Sequence, residues 1–150
     1  MNNIIHTPAK NYLLSSHTIT FSELSQTGAK AVDALFAELG KRGLQRAGNI
    51  EFIYHNFSPN KPFLLEIAMP VTEDTEANSG EFKIVKRNAF RNLNHIHIGS
   101  MESMMKVYDG IFAEIGSKGL PYNGEVREVY LKFSGPDAAD NVTEIQIGLN

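Results

Sequence analysis

The chain has 150 residues and a net charge of −3, and it contains no cysteine. Its length suits one domain with a sizeable core, and 42% apolar against 21% charged residues is ordinary for a globular protein. This composition excludes thiol catalysis, disulfides and thiolate metal sites, gives no support for a nucleic-acid partner, and offers no 18-residue apolar run that would span a membrane.

Residues 1–10 read as a loose lead-in without the charged and apolar regions of a signal peptide, so cytoplasmic residence is the expectation. Tyr12–Phe21 is strand-like. Ser22-Glu23 opens a helix on which Leu24, Ala31, Val32, Leu35, Phe36 and Leu39 keep helical spacing, and Gly40 and Gly43 end it. Ile50–Phe57 and Phe63–Val71 are strands around a turn rich in Asn, Ser and Pro. The polar, acidic stretch Thr72–Gly80 is the expected connector. Glu81–Phe90 and Asn94–Gly99 are the next strands. Met101, Met104, Met105, Tyr108, Ile111, Phe112 and Ile115 form a helical stripe, read as core, that Gly116 and Gly119 close. Val126–Phe133 and Val142–Leu149 complete the order.

Strand–helix–strand–strand thus occurs twice, and the two runs resemble each other. Leu35–Leu44 (LFAELGKRGL) matches Ile111–Leu120 (IFAEIGSKGL), and Ile50–Phe57 (IEFIYHNF) matches Val126–Phe133 (VREVYLKF), both at an offset of 76 residues. Glu66–Val71 resembles Glu144–Leu149 at an offset of 78. Two copies are too few for a solenoid. They suit one α+β domain over residues 1–150, with repeat halves about 12–71 and 81–149, pseudo-twofold symmetry, and an antiparallel sheet with one main helix per repeat.

Alternation along Val126–Phe133 puts Val126, Glu128, Tyr130 and Lys132 on one face and Arg127, Val129, Leu131 and Phe133 on the other. The second reads as the core face. The first sets a carboxylate beside a phenol. The duplication pairs Tyr54 with Tyr130 but Phe52 with Glu128, an acid standing where the other half is apolar. Such a break in symmetry suits a polarised pocket. Its candidate residues are Glu128, Tyr130, Tyr54 and Phe52. His95 and His97 share a strand face, but without cysteine a metal site would need them plus carboxylates such as Glu128; neither metal nor cofactor is expected. Glu23, Glu51, Glu66, Glu102, Glu125 and Glu144 read as surface charges, with Glu66 and Glu144 on edge-like strands.

MPV at 69–71, HIGSMESMMKVY at 97–108, REVY at 127–130 and TEIQIGL at 143–149, in this order and spacing, resemble the gyrase-inhibitor-like (GyrI-like) effector-binding domain. That domain is the ligand-sensing module of MerR-type and AraC-type multidrug regulators and also occurs alone. The resemblance spans essentially the whole chain. It implies two strand–helix–strand–strand units and a central pocket in which the glutamate at position 128 meets cationic or hydrophobic aromatic ligands. It makes His97 the histidine of the family's His-x-Gly turn, a further candidate at the ligand site. The chain departs from the pattern at Gly148, where the family has proline, and it has no tryptophan. Only about 11 residues precede the first expected strand, too few for a helix-turn-helix, so direct DNA binding is not expected.

The leading expectation is a stand-alone binder of a hydrophobic, aromatic and cationic small molecule, not an enzyme. The first alternative is a hydrolase of electrophilic, cyclopropane-bearing genotoxins in which Glu128 and Tyr130 activate water. The second is a protein-interaction module with a partner such as gyrase. Haem binding has no specific support from the histidine spacing. Oligomeric state is open.

Overall fold

The computed structural model describes residues 2–74 and 78–150. Among these residues nine antiparallel strands form one sheet: β1 (Asn3–Thr7), β2 (Lys10–Ile19), β3 (Glu51–His55), β4 (Phe63–Val71), β5 (Asn78–Ser79), β6 (Phe82–Arg87), β7 (Phe90–Ile98), β8 (Tyr122–Lys132) and β9 (Val142–Leu149). Their spatial order is β1-β7-β9-β8-β3-β4-β2-β6-β5. Helices α1 (Leu24–Arg42) and α2 (Met104–Lys118) supply the other layer. The architecture is α+β, as expected. None of the described helices is long and apolar enough to cross a membrane.

Both helices stop at a left-handed glycine, Gly43 at φ 63° and Gly119 at φ 61°. Only glycine takes that conformation without a Cβ penalty, so the two glycines that follow in sequence after Gly40 and Gly116 set the ends. Gly40 and Gly116 themselves remain helical. The entry to α1 is fixed one turn early: Glu23 accepts the backbone N–H of Thr20 at 2.9 Å, which takes up an otherwise orphaned donor.

Several expectations need correction. Residues 3–7 are not a loose tail but the edge strand β1, paired with β7 from Asn3 opposite Asn94 to Thr7 opposite Phe90. The strands expected over 81–90 and 94–99 divide earlier, at the Asn-Ala step before Phe90. The Thr72–Gly80 connector falls partly outside the described residues, and β5 lies at its end. Met104 is core, but Met105 is exposed. Glu66 and Glu144 lie on β4 and β9, which are interior strands.

The sheet register decides what each face carries. Phe52 lies directly across from Glu128, and Tyr54 across from Val126, at the central β3–β8 pair. Together with Ile67, Leu65, Ile145, Ile147 and Leu93 they form the face beneath the helices, where Leu35, Ile111 and Ile115 pack. The helix-covered core therefore takes the face of β8 that carries Glu128. The alternate face keeps Arg127 and Val129 buried but leaves Leu131 exposed, and Phe133 lies beyond the end of β8 after a bulge, so it is not the principal core face.

That alternate face has no helix on it, yet Tyr12, Leu14, Ile53, Ala68 and Glu51 are all but inaccessible. Long polar side chains close over it. Arg127 on β8 reaches Tyr12 on β2, three strands away, at 3.3 Å, so two long side chains bridge the strands between them. The guanidinium lies 3.8 Å from the Phe90 ring centroid and donates to Glu125 at 2.6 Å. Glu51 accepts from Tyr12 and Lys10 at 2.9 and 2.8 Å. Glu66 accepts two bonds from Arg87, at 3.0 and 2.6 Å, and lies 2.6 Å from His55 Nε2. Glu51 and Glu66 are thus buried partners rather than surface charges: the cations that pay their desolvation come from distant strands.

Burial works to raise the Glu66 pKa, but hydrogen bonds and charge from His55 and Arg87 outweigh it and hold the carboxyl at about 2. A carboxylate depressed in the folded state gives stability that is present above its unfolded value and lost as pH falls through the folded one. Arg87→Ala is expected to lower unfolding free energy by about 1–3 kcal/mol around pH 7, with the deficit shrinking towards about pH 2. Urea denaturation at several pH values checks it; a deficit independent of pH would contradict the assignment.

Candidate functional site

The site is built on β3 and β8 and closed by α2. Alternation on β8 points Glu128 and Tyr130 to the helix side, and the antiparallel register brings Tyr54 and Phe52 of β3 alongside. Glu128 is 5% exposed. Its Oε1 accepts the hydroxyls of Tyr54 at 3.0 Å and Tyr130 at 2.6 Å. Its Oε2 accepts the hydroxyl of Tyr108, which α2 carries down onto the sheet. Three phenols from three elements therefore converge on one carboxylate.

No cation reaches Glu128 among the described residues; the hydrogen-bond partners are all phenols. Its strand neighbour Arg127 points to the other face. Burial therefore pushes the Glu128 pKa up, and the three phenols offset only part of that rise. Burial, then the adjacent carboxylate, drives the pKa values of Tyr54, Tyr108 and Tyr130 well above the ordinary phenol value, so all three stay protonated donors.

Aromatic rings surround this centre and lead out to solvent. Phe52 packs edge-on against Tyr130 at 5.0 Å. From Tyr54 a row continues through Phe63 and Phe57 to Phe21, with centroid spacings of 6.1, 4.9 and 5.8 Å. From Tyr108 a second row runs through Phe112 to Tyr122, at 6.4 and 5.1 Å. Phe133 extends from Tyr130 at 6.2 Å. Phe21, Phe57, Phe112, Tyr122 and Phe133 are exposed. Room for the Phe52 ring depends on Gly28 of α1, where an added Cβ would come 2.9 Å from the ring edge. The arrangement presents aromatic ring faces and edges around one buried carboxylate.

Four of the five residues expected at the site come together: Glu128, Tyr130, Tyr54 and Phe52. His97 does not join them by hydrogen bond. Its Nε2 lies 3.1 Å from Ser100 O and 3.0 Å from Ser103 Oγ, tying down the turn before α2. Tyr108 was not singled out as a site residue. In the sequence it stands on the amphipathic stripe of α2, which reads as core, and at the end of the 97–108 run that carries the resemblance. Phe63 lies within the aromatic row, whereas Phe90 sits on the opposite face against Arg127. Among the described residues no three His, Asp or Glu side chains gather as a metal site.

The sequence of residues 2–150 matches the family model described as the GyrI-like small molecule binding domain. No curated protein matches the chain. Among solved structures, EcmrR in a complex with DNA superposes with a TM-score of 0.84 at 20% identity. The alignment covers 100% of this chain and 57% of that one, so the chain spans less than two thirds of its length. SAV2435 bound to tetraphenylphosphonium gives 0.68 at 10% identity, covering 100% of this chain and 94% of that chain. A hydrolase from Listeria innocua gives 0.68 at 14% identity, covering 99% and 91%. At these identities the structural likeness shows a shared fold. The match over the whole described length shows the family as well: the chain belongs to the GyrI-like small molecule binding domains.

Proposed function

We propose that the domain binds a lipophilic aromatic cation, with its charge against Glu128 and its rings against Phe52, Tyr54, Tyr108 and Tyr130. One observation carries the reading: a buried carboxylate held by three phenols, with aromatic rows running from it to solvent and no cation beside it among the described residues. A charge buried without a counter-ion is costly, and a ligand that brings the missing positive charge recovers that cost. The phenols leave the carboxylate in place and oriented, so little ordering remains to be done on binding. The tetraphenylphosphonium in SAV2435, a protein of the same fold, is a ligand of this chemistry.

A second reading has its own support. A carboxyl with a raised pKa, hydrogen-bonded to phenols, is also equipped as a general base toward water, and a similar fold belongs to a Listeria innocua hydrolase. Incubation with electrophilic, strained-ring substrates separates the two: a binder returns the compound unchanged, while a hydrolase yields product in wild type and none in Glu128→Gln.

Two further outcomes are expected. Glu128→Gln keeps the shape and one oxygen that accepts the Tyr54 and Tyr130 hydroxyls, sets an amide donor against Tyr108, and removes the charge. It should weaken tetraphenylphosphonium binding by roughly 10- to 100-fold, measured by calorimetry. Equal affinity in both proteins would sink the proposal. Tyr108→Phe deletes one donor to the ionised form of Glu128. The Glu128 titration followed by carboxyl carbon NMR should therefore move further up, because the remaining phenols no longer offset burial as far. An unchanged titration would mean that Tyr108 contributes nothing to holding the charge.

A further inference from the structure

Thr143 is the buried polar group that the arrangement around Glu128 leaves over. It lies on β9, directly opposite Tyr130 on β8 and opposite His97 on β7. Directly opposed residues share a sheet face with Cβ atoms about 4.5–5.5 Å apart. Thr143 therefore stands on the helix-covered face, beside the ring whose hydroxyl holds Glu128, and the next β9 residue on that face, Ile145, is opposite Glu128 itself. Thr143 is 1% exposed, and its Oγ1 has no hydrogen-bond partner among the described residues.

The polar groups next to it are engaged elsewhere. The Tyr130 hydroxyl is turned to Glu128 at 2.6 Å, and His97 Nε2 is turned to Ser100 and Ser103. A buried hydroxyl left unpaired is unfavourable, and valine would fill the same space without that cost. Buried polar groups in folded proteins are almost always satisfied, so an exception opposite Tyr130, two residues along the strand from the position facing a buried charge, points to a partner that arrives with the ligand.

We infer that Thr143 is the hydrogen-bonding group of the ligand site, and that the ligand is an aromatic cation carrying a hydroxyl, amide or carbonyl group at a set distance from its charge. Glu128 meets the charge and Thr143 meets the polar group. The inference rests on the cation-binding reading and adds to it what distinguishes one lipophilic cation from another. A site that can hydrogen-bond a ligand group discriminates against an analogue lacking it, whereas ring contacts alone discriminate weakly.

The test uses tetraphenylphosphonium, which has no hydrogen-bonding group, and its three analogues with one hydroxyl at the ortho, meta or para position of one ring. Affinities are measured by calorimetry for wild type and Thr143→Val. At least one isomer should bind wild type roughly 2- to 10-fold more tightly than the parent cation, the range of one net hydrogen bond. Thr143→Val should abolish that preference, leave the parent's affinity within about twofold, and unfold at the same temperature as wild type or higher. A preference that survives in Thr143→Val, or no preferred isomer, overturns the inference. So does a fall of several degrees in the variant's midpoint, which would show the hydroxyl already satisfied inside the protein, as by a buried water. If the parent cation fails to bind wild type, or binds Glu128→Gln equally well, the cation site itself is wrong and this inference falls with it.

Discussion

The charge of Glu128 is the constraint on which the site depends. A carboxylate in a helix-covered sheet face is tolerable only if its lone pairs are filled, and the chain fills three of them with phenols rather than with a lysine or arginine. Phenols satisfy hydrogen bonding without neutralising charge. The result is a carboxylate that is geometrically settled and electrostatically unsettled. On the other face of the sheet the opposite solution is used: Glu51 and Glu66 are also buried, but Lys10, Arg87 and His55 close upon them. Two strategies for buried acids thus stand back to back across β3, β4 and β8. The paired acids lie on the face without a helix, and the unpaired one is the charge that the proposed cation meets.

This division explains why α2 belongs to the site as much as the sheet does. Tyr54 and Tyr130 reach Oε1 from within the sheet, and Tyr108 alone reaches Oε2 from the helix. The residues that place α2 are also polar and local. His97 and Ser103 fix the turn before its first residue, and Gly119 ends it. The position of Tyr108 over Glu128 follows from these two ends together with the packing of Ile111 and Ile115 on the sheet. The aromatic rows then occupy what is left of the surface between helix and sheet.

Much of this was legible in the sequence, for reasons that can be located. β4 and β9 have the expected bounds because hydrophobic runs flanked by turn residues mark them. The pairing of Glu128 with Tyr130 follows from strand alternation alone, and Tyr54 and Phe52 follow from matching the two halves. The register sets Phe52 directly against Glu128. What was not legible depended on partners far apart in the chain. β1 is a short polar segment whose strand character comes from β7. Val126–Phe133 is buried on both faces over much of its length, so alternation could not reveal which face the helices cover. Glu51 and Glu66 look like surface charges until Lys10 and Arg87 are brought to them by folding. Tyr108 needed the crossing of α2 over β8, which no local pattern encodes.

The central claim is that Glu128 provides an unneutralised negative charge and a bound cation supplies the neutralising one. Because burial raises the Glu128 pKa above its ordinary value of 4.5, part of the free protein carries a proton there at pH values not far above it, and a cation that prefers the ionised form must expel that proton. The direct measurement is the calorimetric titration of tetraphenylphosphonium into the protein in pairs of buffers with different ionisation enthalpies, repeated at increasing pH from that region upward. Proton release on binding should be largest at the acid end and vanish as pH rises past the Glu128 titration, with none in Glu128→Gln. Binding without proton release at every pH, or release that persists in Glu128→Gln, would contradict the central claim.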